Sequence, residues 1–315
     1  MTRQEKLEEL VREGVEWTDA TWNPIRGCSR VSEGCRECYA EKIAARFSGP
    51  GQPYHGLAVH TRSGEARWTG KVALIESALD LPLRWRRSRR IFVNSMSDLF
   101  HEAVPDEWIA AIFGVMLRAR QHTFQILTKR PERMARWCQT ATPHDCIAAL
   151  AVTAPSAFRQ PFGGDEASRV GREWPAPHIW LGISAEDQKT WDDRVELLGR
   201  TPAAMRWVSA EPLLGELDVG NAFDPPPDGS PYGRVDWLVV GGESGGLVER
   251  ALVERKPCAC CHGWRPKDQA LAWVRSLRDQ CVAVGVPFFF KQWGGPTPKA
   301  GGRALDGRTW EEVPT

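Results

Sequence analysis

Short apolar runs that close on small or polar residues recur along this chain, at residues 91–95, 124–130, 179–184, 206–211, 237–244 and 287–293. Within each run nearly every position is apolar instead of alternating, which is the pattern of strands buried on both faces in a parallel sheet covered by helices. From Phe92 to Phe124, Trp180 to Trp207 and Trp207 to Trp237 the chain advances 32, 27 and 30 residues, the size of one strand-plus-helix unit. A strand candidate at residues 16–22 brings the predicted number of parallel strands to about seven. Helices are predicted in the gaps. Over residues 105–120, Pro105 opens the segment and Trp108, Ile109, Ile112, Phe113, Val115, Met116 and Leu117 make a broad apolar face. Two more are expected at residues 39–47 and 268–284, the latter with Leu271, Val274, Leu277 and Cys281 near helical spacing. The expected fold is α/β, a partial or complete (β/α) barrel forming a single domain over residues 1–315.

Two intervals exceed a simple unit: residues 140–177, rich in Ala, Pro and Gly, and residues 221–234, which carry Pro225, Pro226, Pro227, Asp228 and Gly229 in succession. They are predicted to be loop insertions. With 42% hydrophobic and 26% charged residues and a net charge of +1, the composition is that of an ordinary globular protein, and global charge makes no case for nucleic acid. The opening residues show no apolar segment behind a basic start, and no apolar run approaches the ~18 residues of a membrane span. A cytoplasmic protein without membrane association is expected. Nine cysteines, an odd number in a chain large enough to build its own core, then read as thiols or metal ligands, not as a disulfide framework.

Three of them, Cys28, Cys35 and Cys38, fall in one loop at residues 26–40. A closed structural zinc site takes four protein ligands, whereas three thiolates leave one position of a metal centre open to substrate or cofactor. The alternative is a noncatalytic metal-binding protein, its zinc completed by His55, His60 or a later cysteine and its fold used for a structural or partner-binding role. A second group, Cys258, Cys260, Cys261 and His262, lies in a Cys-rich loop near residues 255–265. Its crowded spacing is unlike the usual zinc pair, and both a metal site with an outside partner and redox-labile thiols stay open. Cys138, Cys146 and Cys281 read as buried or incidental.

In parallel α/β barrels, ligands sit at the C-terminal ends of the strands. Those ends carry Asn94, Ser95, Asp98, Thr128, Lys129, Arg130, Ser184, Glu211, Glu243 and Ser244, which suggests one shared cavity. Gly241 and Gly242 would let the backbone approach a ligand closely, with Glu243 placed to accept hydrogen bonds from an amino or ribose hydroxyl group. The competing reading of Lys129, Arg130 and Glu211 is an internal ion-pair network bracing the barrel, and of His101 and Asp98, residues that cap or orient a loop. Residues 84–90 hold five arginines, at the opposite end of the barrel from the strand-end site. Such a run can hold phosphates but also suits a solvated helix terminus.

Taken together, Thr21 to Pro24, the cysteine run ending Cys38, Tyr39, Ala40, Glu41, residues 93–101, 127–131, 211–215, 240–245 and 289–294 resemble the phage-associated three-Cys-motif family, from about Trp17 to Trp310. That family is a domain of unknown function, itself similar to a distant branch of the radical SAM superfamily. The resemblance implies a barrel of the radical SAM type. It implies a [4Fe-4S] cluster held through three irons by Cys28, Cys35 and Cys38, with the fourth iron open to S-adenosyl-L-methionine. It further implies an electron donor such as flavodoxin or ferredoxin, and a 5′-deoxyadenosyl radical that abstracts hydrogen from a substrate. Asn94, Ser95, Ser184, Glu211, Gly241, Gly242, Glu243 and Ser244 are then cofactor-binding candidates, and Asp98, Lys129 and Arg130 candidates for substrate or S-adenosyl-L-methionine contact. The phage association prompts a nucleotide or nucleic acid as substrate. The chain departs from the superfamily's usual spacing, with six residues between the first two cysteines where three are common, and Glu37 where an aromatic residue is usual. An iron–sulfur enzyme that does not use S-adenosyl-L-methionine is the remaining alternative.

Overall fold

In the computed structural model, seven strands form the main parallel sheet: β1 (Ala20–Trp22), β2 (Arg90–Val93), β3 (Thr123–Thr128), β4 (Ile179–Ser184), β5 (Met205–Ala210), β6 (Trp237–Gly241) and β7 (Phe288–Gln292). Their order in the sheet is their order in the chain, so each strand lies beside its successor. The number of strands and the α/β class are as the apolar runs predicted. The structure describes residues 17–158, 174–220, 222–224, 233–245, 248–256, 263–298 and 300–314. Among them no helix is long and apolar enough to cross a membrane. The chain gathers into two compact units. The first holds Cys38–Leu181, the chain up to Val31 and the short piece Thr201–Met205; the second holds Ser32–Glu37, Gly182–Arg200 and the chain from Arg206 onward.

In the first unit, Thr21 pairs with Phe92 across β1 and β2, and Ile91 with Phe124 across β2 and β3. Helix α1 (Tyr39–Arg46) starts immediately after Cys38 and packs against a small hairpin of Ala58–His60 and Ala66–Trp68. Ala40, Ala44 and Ala45 of α1 share an apolar cluster with Tyr54, Leu57, Ala58 and Met96, and Cys38 packs against it. Helix α2 (Asp106–Arg118) follows an extended Pro105, with Asp106 and Glu107 in its first turn, where carboxylates offset the helix dipole. Eight residues of α2, Ile109 and Ala111 through Leu117, are buried. Helix α3 (Pro131–Thr140) leaves the end of β3, and α4 (Pro143–Thr153) follows at once. A Cβ on Gly114 of α2 would lie 2.4 Å from the Cys146 carbonyl oxygen of α4, so these helices pack closely only because that position has no side chain. The insertion predicted as a loop over residues 140–177 therefore begins as a capped helix, Thr142 accepting from the Asp145 amide.

In the second unit, Trp237 pairs with Trp207 across β5 and β6, and Leu238 with Phe288 across β6 and β7. The register slips between Val240 and Gly241, a bulge at the C-terminal end of β6. Gly182 interrupts the apolar run of β4 because the Trp207 indole lies over it, 2.5 Å from where a Cβ would be. Helix α5 (Gln188–Gly199) opens with a capping box between Asp187 and Thr190, and α6 (Asp268–Val284) ends at Gly285 in the left-handed conformation at φ 68°. A hairpin of Val253–Arg255 and Trp264–Pro266 brackets the Cys-rich loop. The predicted group Cys258, Cys260, Cys261 and His262 lies outside the described residues, as does most of the predicted insertion at residues 221–234.

Candidate functional site

At the end of β2 the chain turns sharply. Asn94 takes φ 61°, a conformation that asparagine tolerates better than most residues, and its Oδ1 accepts from the Ile25 amide. Asn23 Oδ1 in turn accepts from the Ser95 hydroxyl and the Met96 amide, both at 3.1 Å, while the Tyr39 hydroxyl donates to the Ser95 carbonyl at 2.8 Å. Asn94 and Ser95 thus tie the strand end to the segments around the cysteines.

Asp98 and Arg130 are the centre of this region. The Asp98 carboxylate accepts four hydrogen bonds, from the Phe100 amide (2.9 Å), the Thr128 hydroxyl (2.7 Å), the Lys129 amide (3.0 Å) and Arg130 Nη1 (3.1 Å). Arg130 spends its other donors on Glu102, through Nε at 2.9 and 3.0 Å, and on Ser29, whose hydroxyl and carbonyl oxygens accept from Nη2 at 2.8 and 3.2 Å. Its Nη1 also stands 4.0 Å from Cys28 Sγ. Burial alone disfavours the guanidinium charge, but Asp98, the Cys28 sulfur and Glu102 more than offset this and raise its pKa. His101 Nδ1 accepts from the Ala103 amide, which leaves Nε2 to carry the proton and donate to Ser29 Oγ at 2.9 Å. Burial, reinforced by the nearby Arg130 charge, lowers the His101 pKa and keeps the ring neutral.

Cys38 occupies the N-cap position of α1, where helix-end amides favour an anionic sulfur. Beside it lies Arg30, which ion-pairs with the buried Glu41; the other Glu41 oxygen accepts from the Trp68 amide at 2.8 Å. Burial works against the Arg30 charge, yet Glu41, Glu65 and the Cys38 sulfur raise its pKa. A guanidinium thus accompanies each of these two sulfurs.

The second unit holds the remaining strand-end residues. The Ser184 hydroxyl donates to the Glu211 carbonyl at 3.2 Å, and Glu211 pairs with Lys291 at 2.5 Å. A Cβ on Gly242 would lie 2.2 Å from the Trp293 carbonyl oxygen, so the close approach that this glycine permits is made by β7's own continuation. Glu243 accepts from Arg250 at 3.0 Å, and Ser244 from Gln292 at 2.9 Å. Cys35 ends a single helical turn, Glu33–Cys35, its amide donating to the Ser32 carbonyl. Beside this turn opens a cavity of about 340 Å³ with Glu33, Arg36, Asp187, Arg250, Lys267 and Trp273 among its lining residues.

Asn94, Ser95, Asp98, Lys129 and Arg130 thus fall in the unit with Cys28 and Cys38, and Ser184, Glu211, Gly241, Gly242, Glu243 and Ser244 in the unit with Cys35. Sequence reasoning missed Ser29, Glu102, Glu186, Arg194, Arg250 and Lys291. A signal existed only for Glu186, which follows β4 directly before the capping-box residue Asp187. The three cysteines are thiols of intermediate exposure. Among the described residues no three His, Cys, Asp or Glu side chains are gathered as a metal-holding group. The donors themselves still suit thiolate ligation: three half-buried sulfurs on one short segment, with guanidinium charge beside Cys28 and Cys38.

Residues 12–256 and 259–314 match the DUF5131 family, described as a protein of unknown function, and the chain belongs to that family. No curated protein and no solved structure matches the chain.

Proposed function

We propose that this protein is an iron–sulfur enzyme of the radical SAM kind, with Cys28, Cys35 and Cys38 as the cluster ligands. The observation that carries the reading is the buried Arg130, fixed by Asp98 and Glu102 with its Nη1 4.0 Å from Cys28 Sγ. A buried cation held beside a sulfur is what a thiolate ligand in a low-dielectric setting requires. Arg30 supplies the same kind of charge to Cys38. When bound, the cluster would supply one electron to S-adenosyl-L-methionine and so start hydrogen abstraction from a substrate.

The chain's own contribution is position and shelter. The apolar cluster of Ala40, Ala44, Tyr54 and Met96 excludes water on the Cys38 side. The cavity beside Cys35 is lined by both carboxylates and cationic groups, a lining that suits a guest bearing an ammonium and a carboxylate, and its size falls in the usual range for small-molecule sites. A flavodoxin- or ferredoxin-like donor would deliver the electron, and a nucleotide or nucleic acid is the candidate substrate class.

The test is anaerobic purification with iron and sulfide analysis, then electron paramagnetic resonance of the reduced protein with and without S-adenosyl-L-methionine. A cluster signal that changes on addition of S-adenosyl-L-methionine and disappears in Cys28→Ala is the expected result. One equivalent of zinc without iron or sulfide would move the protein to noncatalytic metal binding. A cluster signal indifferent to S-adenosyl-L-methionine would leave an iron–sulfur enzyme with a different reaction.

A further inference from the structure

The second unit contains a buried acid that the proposed chemistry does not use. Glu186, just past β4, is 0% exposed. One of its oxygens accepts from Arg194 at 3.1 Å, and Arg194, also buried, donates to the Ser184 carbonyl at 2.6 Å. The other accepts from the Ser32 hydroxyl at 2.7 Å. The backbone of Glu186 is held as well, its amide donating to Thr190 Oγ1 and its carbonyl accepting from the Leu214 amide. This carboxylate cannot drift without breaking several of these bonds.

Around it is wrapped the turn that bears Cys35. A Cβ on Gly34 would lie 2.2 Å from Glu186 Oε1 and 2.3 Å from its Cγ, so the backbone one residue before Cys35 rests directly on this side chain. Ser32, three residues before Cys35, is bonded to the same carboxylate, and its carbonyl accepts from the Cys35 amide at 2.9 Å. On the other flank the Glu33 carbonyl accepts from Arg250 at 2.9 Å. Contacts on Ser32, Glu33 and Gly34 leave the turn little freedom.

We propose that Glu186, locked by Arg194, is the positioning residue for Cys35: it holds Ser32 by a hydrogen bond and supplies the surface on which Gly34 rests. The role of Cys35 as a ligand rests on the function proposed above; the positioning does not. An acid made immobile by a buried arginine is a better anchor than an apolar side chain, because it fixes direction as well as distance.

The experiment compares wild type with Ser32→Ala, Gly34→Ala and Ser32→Thr, which retains the hydroxyl. In the reduced, metal-free full-length chain, iodoacetamide alkylation of Cys28, Cys35 and Cys38 is followed separately by peptide mass spectrometry. After anaerobic reconstitution, iron loss to a chelator is timed. Removing a hydrogen bond to a charged acceptor should raise Cys35 alkylation about tenfold in Ser32→Ala, with a comparable rise in Gly34→Ala. Cys28 and Cys38 should keep their rates, Ser32→Thr should return Cys35 toward wild type, and iron loss should quicken in the two disruptive variants. Unchanged Cys35 alkylation in both, or an equal rise at all three cysteines, would overturn the proposal. A wild-type chain that takes up no iron would sink the functional reading alone, since the alkylation contrast still decides whether Glu186 holds Cys35.

Discussion

Replacing Asp98 by asparagine keeps the shape of the side chain and removes what its surroundings need. Asp98 is 6% exposed, and its carboxylate receives four donors, two on each oxygen. An amide offers one accepting oxygen and one donating nitrogen. If the nitrogen faces Lys129 and Arg130, two donors confront a third; if it faces Phe100 and Thr128, the Thr128 hydroxyl can rotate but the Phe100 amide cannot. Either orientation strands at least one buried donor, at a cost of ~1–3 kcal/mol. Arg130 also loses its buried counter-charge, and breaking a buried pair from one side costs ~3–5 kcal/mol when nothing replaces the partner. Glu102 still reaches Arg130 Nε, but its side chain is 68% exposed and water screens the attraction. The two penalties overlap at Arg130, so the expected loss is about 3–5 kcal/mol. At roughly 2 °C per kcal/mol for a chain of this size, Tm should fall by about 6–10 °C. The assay is a thermal melt of the reduced, metal-free chain at neutral pH, with Thr128→Val, which removes one donor to Asp98 and the acceptor of the Arg130 amide, as the milder control at about 1–3 kcal/mol. A fall of less than about 2 °C in Asp98→Asn would refute the claim that this carboxylate organises the Cys28 side of the protein.

Arg130→Met should slow alkylation of Cys28 at neutral pH by about tenfold relative to Cys35, because the cation that favours the thiolate is gone; equal ratios in variant and wild type would count against the pairing. His101, neutral and lowered by burial, implies a definite pH response. The unfolded ring takes up a proton near 6.5, the folded ring only below that, so its contribution to stability is complete above about 6.5 and is lost as pH falls through the lowered folded value. His101→Gln should flatten that acid-side loss in melts from pH 7.5 to 5, and an unchanged slope would remove His101 as its source. Burial pushes the Cys146 thiol up to about 12, and raises Cys138 and Cys281 still further. At pH 8, only about one Cys146 in ten thousand is then a thiolate, so native-state iodoacetamide should leave all three unmodified while labelling Cys28, Cys35 and Cys38.

Strands of the main sheet were legible in the sequence because a parallel strand buried on both faces must be apolar at almost every position, as the fully buried run of β4 shows. Helix α2 was legible through its wide apolar face. Helix α4 was not: among its eleven residues only Cys146 and Leu150 are buried, and Val152 is 82% exposed, so no helical stripe stands out from an Ala-rich background. The short hairpins, such as Ala58–His60 with Ala66–Trp68, have too few residues to show any period. Among the site residues, Cys28, Cys35, Cys38, Asp98 and Arg130 could be picked out by type and by place at strand ends. Their pairings could not, because Ser29 meets Arg130 across 101 residues and Ser32 meets Glu186 across 154, so even the local signal at Glu186 does not say what that acid holds.

The same device recurs along the cysteine segment. Glu41 with Arg30, Asp98 with Arg130, and Glu186 with Arg194 are each a buried carboxylate tied to an arginine, and each holds a different part of residues 26–40. Arg30 itself belongs to that segment, Arg130 binds Ser29, and Glu186 binds Ser32. Buried pairs of this kind add little to stability over well-packed apolar residues, since desolvation consumes most of the attraction. Apolar packing of similar volume would serve a merely structural loop as well. Three such pairs on fifteen residues therefore fix the position of the backbone that carries the cysteines, with guanidinium charge beside Cys28 and Cys38. Zinc in a closed structural site tolerates a floppier approach, because the metal itself gathers its ligands on binding. Under the proposed function, backbone fixed by buried pairs about Cys28 and Cys38 in the first unit, and about Cys35 in the second, is what a centre that must meet a second reactant in a fixed geometry would draw on.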